Sequence, residues 1–211
     1  MNKQFNDLLP DIVNAINYNY TQSDLLLGKS DKYLPVRTTI IEILDDLKRL
    51  MFPGYFSTDR VDVTNAAYYT GQILSSLHLK LRKQVALALA YDREPGIFSS
   101  NPDVITEAED ICCKFFEAVP HIQEMLLLDV QAGYDGDPAA DSKEQIIFSY
   151  PGFYATFVYR VAHELYNMHV PFIPRVMTEH AHGKTGIDIN AGATIGKYFF
   201  MDHGTGIVVG E

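Results

Sequence analysis

Cysteine is nearly absent from this chain. The only two, Cys112 and Cys113, are neighbours in sequence. Adjacent cysteines are poorly placed to bridge each other, so no disulfide framework is expected, and a reduced cytoplasmic setting fits best. Basic residues are also few: 17 Lys and Arg against 27 Asp and Glu, a formal charge of −10. Phosphate neutralisation needs a surplus of cations on one face, so nucleic acid is not an expected partner, and an anionic membrane would not attract the chain. Long apolar runs are missing as well. No stretch approaches a transmembrane helix, and the N-terminal residues MNKQFNDLLPDIV lack the charged-then-apolar pattern of a signal peptide. What remains is a chain of 47% hydrophobic and 21% charged residues, enough for a packed core of one large domain or two small ones.

Residues 1 to about 130 read as helical. Phe5, Leu8, Leu9, Ile12, Val13 and Ile16 fall at helical spacing between Asn2 and Tyr20, and a polar break follows from Thr21 to Lys32. Thr38 to Met51 places Ile40, Ile41, Leu44, Leu47 and Met51 on one stripe, closed by Pro53-Gly54. Asn65 to Tyr91 repeats Tyr69, Ile73, Leu77, Leu81, Val85 and Leu89 near steps of four. Asp92 to Asp103, with Pro95-Gly96 and Asn101-Pro102, reads as a loop. Val104 to Val119 then forms an amphipathic helix that Pro120 breaks or kinks. Gln131 to Ser142 is acidic and turn-forming, and a functional loop is expected there. Helices are expected again over Gly152 to Met168 and from about Pro171 to Ala181, the latter closed by Gly183. Most aromatic residues sit at core spacing, and Cys112 and Cys113 read as part of a packed helical face. His180 and His182 near a helix end suit its C-terminal dipole better than a metal, for which no third ligand is evident.

From Gly186 onward the period changes to six. Ile189, Ile195, Met201 and Ile207 recur without slippage, with small residues between them. That period is neither helical nor strand-like. It marks a parallel β-helix, in which each unit forms one flat side and turns one aliphatic residue to the axis. The pattern is still running at Glu211.

Several ordered motifs then stand out: Asp137-Pro138-Ala139, Gly152-Phe153, Tyr159-Arg160, Ile187-Asp188-Ile189, Ile195-Gly196, and Met201-Asp202-His203-Gly204-Thr205-Gly206-Ile207-Val208-Val209-Gly210-Glu211. Over its last third the chain resembles the serine O-acetyltransferases, hexapeptide-repeat acyltransferases that acetylate L-serine on the route to cysteine. It departs from their pattern at Asn190, often His in the family, and at the bulky pair Phe199-Phe200. The resemblance implies an α+β chain: an all-helical N-terminal assembly domain over 1–183, then the first coils of a left-handed parallel β-helix over 184–211. It implies no permanently bound cofactor and no metal, with acetyl-CoA as co-substrate and L-serine as acceptor. It also implies a homo-oligomer, a trimer or dimer of trimers. The family's later coils, which hold acetyl-CoA, and its C-terminal tail, which meets the next enzyme of the pathway, are expected to lie beyond Glu211. Weak acetyl-CoA binding by these 211 residues is the corollary.

The same resemblance assigns roles. His203 is the general base that takes the proton of the serine hydroxyl, a weak nucleophile towards a thioester. Asp188 is the carboxylate that orients it. Their separation, from 188 to 203, is a little less than one coil of three six-residue sides, so the two side chains could meet. Asp137 and Asp202 are assigned to the substrate ammonium group, which paired carboxylates select by charge-assisted hydrogen bonds. Two other readings stay open from the residues alone: an O-acyltransferase of the same repeat class acting on a sugar, and a non-catalytic assembly module.

Overall fold

The computed structural model describes residues 4–28, 32–93 and 97–211. Its described helices, in chain order, are α1 (Phe5–Gln22), α2 (Asp24–Leu27), α3 (Arg37–Met51), α4 (Pro53–Phe56), α5 (Ala66–Asp92), α6 (Pro102–Gly136), α7 (Lys143–Ser149), α8 (Pro151–Asn167) and α9 (Ile173–Thr185). Two short strands, β1 (Asp188–Ile189) and β2 (Val208–Val209), pair in parallel. The protein is thus mostly helical, with little strand. Part of the expected Thr21–Lys32 break and the Pro95-Gly96 turn lie outside the described residues.

The main core gathers the apolar stripes of α3, α5, α6, α8 and α9. On α3 the buried residues are Ile40, Ile43, Leu44, Leu47 and Met51, so Ile43 rather than Ile41 completes the stripe. Leu77, Leu81, Val85 and Leu89 of α5 are buried as their spacing predicts. Cys112 is buried in the same core, which pushes its thiol up to about 12, while Cys113 is exposed. Helix α1 differs. It has the expected period yet buries none of its residues, and Phe5, Leu9, Ile12, Val13 and Ile16 are all exposed.

The expected break at Pro120 does not occur. Helix α6 continues for 35 residues, and the stripe of Ile122, Leu126 and Val130 beyond the proline is buried. Burying those three side chains outweighs the one hydrogen bond and the steric cost that an internal proline brings, about 3 kcal/mol. The expected loop over Gln131–Ser142 is shortened accordingly, because α6 runs to Gly136. Gly133 and Gly136 look like turn residues in sequence, but they are points of close approach. A Cβ on Gly136 would lie 2.9 Å from the Phe200 ring, and one on Gly133 would lie 3.3 Å from both Ile146 and Phe200. The bulky Phe200 therefore packs where α6 has no side chains. Asn101-Pro102 starts α6 instead of belonging to a loop: the Asn101 side chain accepts from Asp103 N–H at 2.9 Å. Helix α9 begins two residues after Pro171 and ends at Gly186, in the left-handed region at φ 72°, not at Gly183.

A second, smaller core joins α8 to the C-terminal segment. Ala155 and Tyr159 of α8 bury against Ile187, Ile189, Ala193 and Met201. Three of the six-period aliphatics, Ile189, Ile195 and Met201, turn to this core, whereas Ile207 is 38% exposed. The strand register pairs Asp188 with Val208 and Ile189 with Val209.

Candidate active site

One face of α8 holds the C-terminal segment in place. Tyr159, His163 and Tyr166 follow at steps of four and three on that face, with Arg160 beside Tyr159. The Tyr159 hydroxyl donates to the Ala193 carbonyl at 2.6 Å and accepts from Ile195 N–H at 3.1 Å. Arg160 Nη2 donates to the Gly196 carbonyl at 2.9 Å and to Asp129 Oδ1 at 2.7 Å. The Asp129 carboxylate also accepts Phe199 N–H at 2.9 Å. His163 Nδ1 lies 2.7 Å from the Ala191 carbonyl, which can only accept, so that nitrogen carries the proton. Tyr166 donates to Glu211 at 2.6 Å.

This clamp delivers residues 201–204 to the start of α8. Gly152 lies directly beneath Met201: a Cβ there would approach the Met201 carbonyl to 2.5 Å. His203 follows, in the left-handed region at φ 53°. A non-glycine residue held there is a mark of local constraint and clusters at functional sites. Its side chain is 94% exposed, with Nε2 3.7 Å from Asp202 Oδ1.

The acidic loop meets the same place. Asp137 caps the end of α6, and its Oδ1 accepts Ala139 N–H at 2.8 Å, the tight turn that the DPA sequence encodes. Its Oδ2 accepts from the Tyr150 hydroxyl at 2.6 Å. The Tyr150 bond, and after it the Ala139 amide, hold the Asp137 carboxyl below its ordinary value, with His203 a smaller contributor. Tyr150 is in turn pushed up to about 12, first by its bond to Asp137, with Asp202 and Asp141 adding to the effect. Asp137 is thus bonded to Tyr150 and feels His203, while Asp202, the neighbour of His203, acts on Tyr150.

Asp188 stands apart from this group. It is half-buried on β1, and no hydrogen bond or ion pair joins its carboxylate to His203 among the described residues. The register explains this: Val208, not His203, stacks over Asp188. The carboxylate neighbouring His203 is Asp202. Tyr150, Asp129 and His163 were not singled out from sequence. Only Tyr150 carried a signal, standing immediately before the Pro151-Gly152-Phe153 helix start. Among the described residues no three of His, Cys, Asp and Glu gather as metal ligands, and His182 pairs instead with Glu179 at 3.5 Å. No described helix is long and apolar enough to cross a membrane.

No protein-family model matches the chain. A serine acetyltransferase (plasmid) of Synechococcus elongatus is 38% identical over 186 residues, 86% of this chain and 58% of that relative. The serine acetyltransferase of Bacillus subtilis is 44% identical over 87 residues, 41% of this chain and 40% of that protein. Among solved structures, native serine acetyltransferase 1 of Entamoeba histolytica superposes with a TM-score of 0.66 at 31% identity, covering 87% of this chain and 60% of that one. Isoform 3 from the same organism, in complex with cysteine, gives 0.66 at 27% identity, covering 98% and 67%. The chain therefore spans between about two-fifths and two-thirds of the length of these proteins. By sequence over most of its length, and by fold, the chain is a homologue of the serine acetyltransferases.

Proposed function

We propose that the chain carries the acceptor half of a serine O-acetyltransferase, which moves the acetyl group of acetyl-CoA to the L-serine hydroxyl in cysteine biosynthesis. The observation that carries the proposal is the meeting of Asp137, bonded to the Tyr150 hydroxyl, with the adjacent pair Asp202 and His203. Two carboxylates suit an ammonium group, and a histidine suits removal of a hydroxyl proton near neutral pH. In this reading Asp137, held ionised by Tyr150, and Asp202 receive the serine ammonium. His203 takes the hydroxyl proton as the oxygen attacks the thioester carbonyl, then returns it to the departing thiolate, so protons balance over the cycle. Asp188 orients His203 once the half-buried carboxylate and the exposed ring close on the bound acceptor. Apo geometry of catalytic groups is often looser than that of the working complex.

Residues 184–211 are, on this proposal, the first coils of a left-handed parallel β-helix following a helical domain over 1–183. The six-residue period and the parallel pairing of β1 with β2 support it. Acetyl-CoA is a co-substrate held largely by further coils. The protein works as a homo-oligomer, a trimer or dimer of trimers, in the cytoplasm, with the exposed apolar stripe of α1 as one contact surface.

Acceptor choice tests the reading. L-Serine is acetylated, whereas N-acetyl-L-serine, which keeps the hydroxyl and lacks the ammonium, is not. Equal turnover of the two, or preference for a sugar hydroxyl, removes the role given to Asp137 and Asp202.

A further inference from the structure

Adjoining the acidic cluster at Tyr150, where α3 and α4 meet α7, α8 and α9, lies a cavity of about 270 Å³. Its lining includes Phe56, Phe148, Tyr154 and Phe157, with Lys48 and Lys184. Phe56 and Phe148 stack with ring centroids 6.1 Å apart and planes 12° from parallel. Phe148 remains 67% exposed, an apolar rim at the cavity mouth. Two cations from different helices converge on one ring: Lys48 Nζ lies 5.8 Å from the Tyr154 centroid and Lys184 Nζ lies 5.3 Å from it. Lys48 also lies 4.7 Å from the Phe56 centroid, with Asp45 at 3.4 Å as its ion-pair partner. Among the described residues Lys184 finds an aromatic face rather than a carboxylate. The Tyr154 hydroxyl is buried and has no hydrogen-bond partner among the described residues.

Ammonium groups resting on aromatic rings are partly desolvated, which strengthens their attraction for an anion. Both lysines line the one cavity, so an anion held there is attracted by two cations. An apolar wall beside paired cations fits a ligand with a flat apolar body and one anionic head. A volume at the small end of ligand pockets, about 300 Å³, limits that body to a single ring. An amino acid is disfavoured, because its ammonium would face both lysines.

We propose that this cavity binds a small aryl-alkyl monocarboxylate lacking an ammonium group, its ring against Phe56 and Phe157 and its carboxylate between Lys48 and Lys184. The charge preference is opposite to that of the acidic cluster, so the two sites take different ligands. They share one wall residue, Tyr150, whose hydroxyl is bonded to Asp137.

Titration calorimetry of the 211-residue chain with 3-phenylpropionate tests the proposal. Saturable binding is expected with Kd of about 1 mM or tighter, and at least about tenfold weaker binding of 3-phenylpropionamide and of L-phenylalanine. Lys48→Gln and Lys184→Gln each weaken 3-phenylpropionate at least about fivefold, while Lys143→Gln, outside the cavity, leaves it unchanged. The ligand comparison needs no variant, so a lysine variant that fails to fold does not blunt the test. The proposal is overturned by an absence of saturable binding up to about 10 mM. Equal affinity for the amide, or folded lysine variants that bind as the parent does, overturns it too.

Discussion

Arg160 of α8 and Asp129 of α6 form a buried, two-pronged ion pair, their side chains 7% and 1% exposed. Each also reaches the C-terminal segment, Arg160 through the Gly196 carbonyl and Asp129 through Phe199 N–H. One pair therefore joins two long helices to the turn before His203. Removing one member leaves a buried charge without its partner, which costs about 3–5 kcal/mol. Asp129→Ala should lower the urea midpoint by a corresponding amount. A change below about 1 kcal/mol would mean that the pair is not the clamp described.

Gly152 offers a second test of the same junction. A Cβ at this position would lie 2.5 Å from a backbone carbonyl, which cannot swing aside as a side-chain tip can. Gly152→Ala should destabilise by about 1–3 kcal/mol, the range for forcing one extra carbon into a packed contact. It should also displace the Met201–His203 turn, visible as amide shift changes at Asp202 and His203. Alanine has the higher helix propensity, so a neutral or stabilising result would show that the contact is not tight.

Tyr150→Phe removes the main cause of the lowered Asp137 pKa. The carboxyl should then titrate closer to its ordinary value of 3.8, followed by carboxyl-carbon NMR. Because the folded-state pKa lies below the unfolded one, the ionised form is favoured by folding. Its contribution is present above about pH 4 and is lost as pH falls through the folded-state value. The electrostatic part of the variant's stability deficit should accordingly show at neutral pH and fade in acid. An unmoved Asp137 titration would contradict the link.

Much of this was legible in the sequence. The stripes of α3 and α5, and the change to a six-residue period at Gly186, depend on spacing that local burial enforces. Asp137, Asp202 and His203 could be named as candidates because they sit in an ordered set of motifs. The misses share a cause. Pro120, Gly133 and Gly136 carry local breaking tendencies, and whether a helix survives them is settled by what packs on it, for the two glycines Ile146 and Phe200. The Asp188–His203 spacing leaves their contact open, because the register that sets Val208 beside Asp188 depends on turn lengths that period counting does not resolve. Tyr150 and Asp129 act through partners 13 and 31 residues away, which no local pattern announces.

The most direct test of the account is thiol release from acetyl-CoA with L-serine as acceptor. It is measured on the 211-residue chain and on a C-terminally extended form, each with and without His203→Ala. The His203 side chain is 94% exposed, so its removal should leave folding intact. The account predicts that the extended form turns over L-serine, that these 211 residues alone do so poorly, and that His203→Ala lowers the rate about 100-fold or more. An extended protein that acetylates a sugar or nothing, or a His203→Ala protein that retains the parental rate, would contradict it.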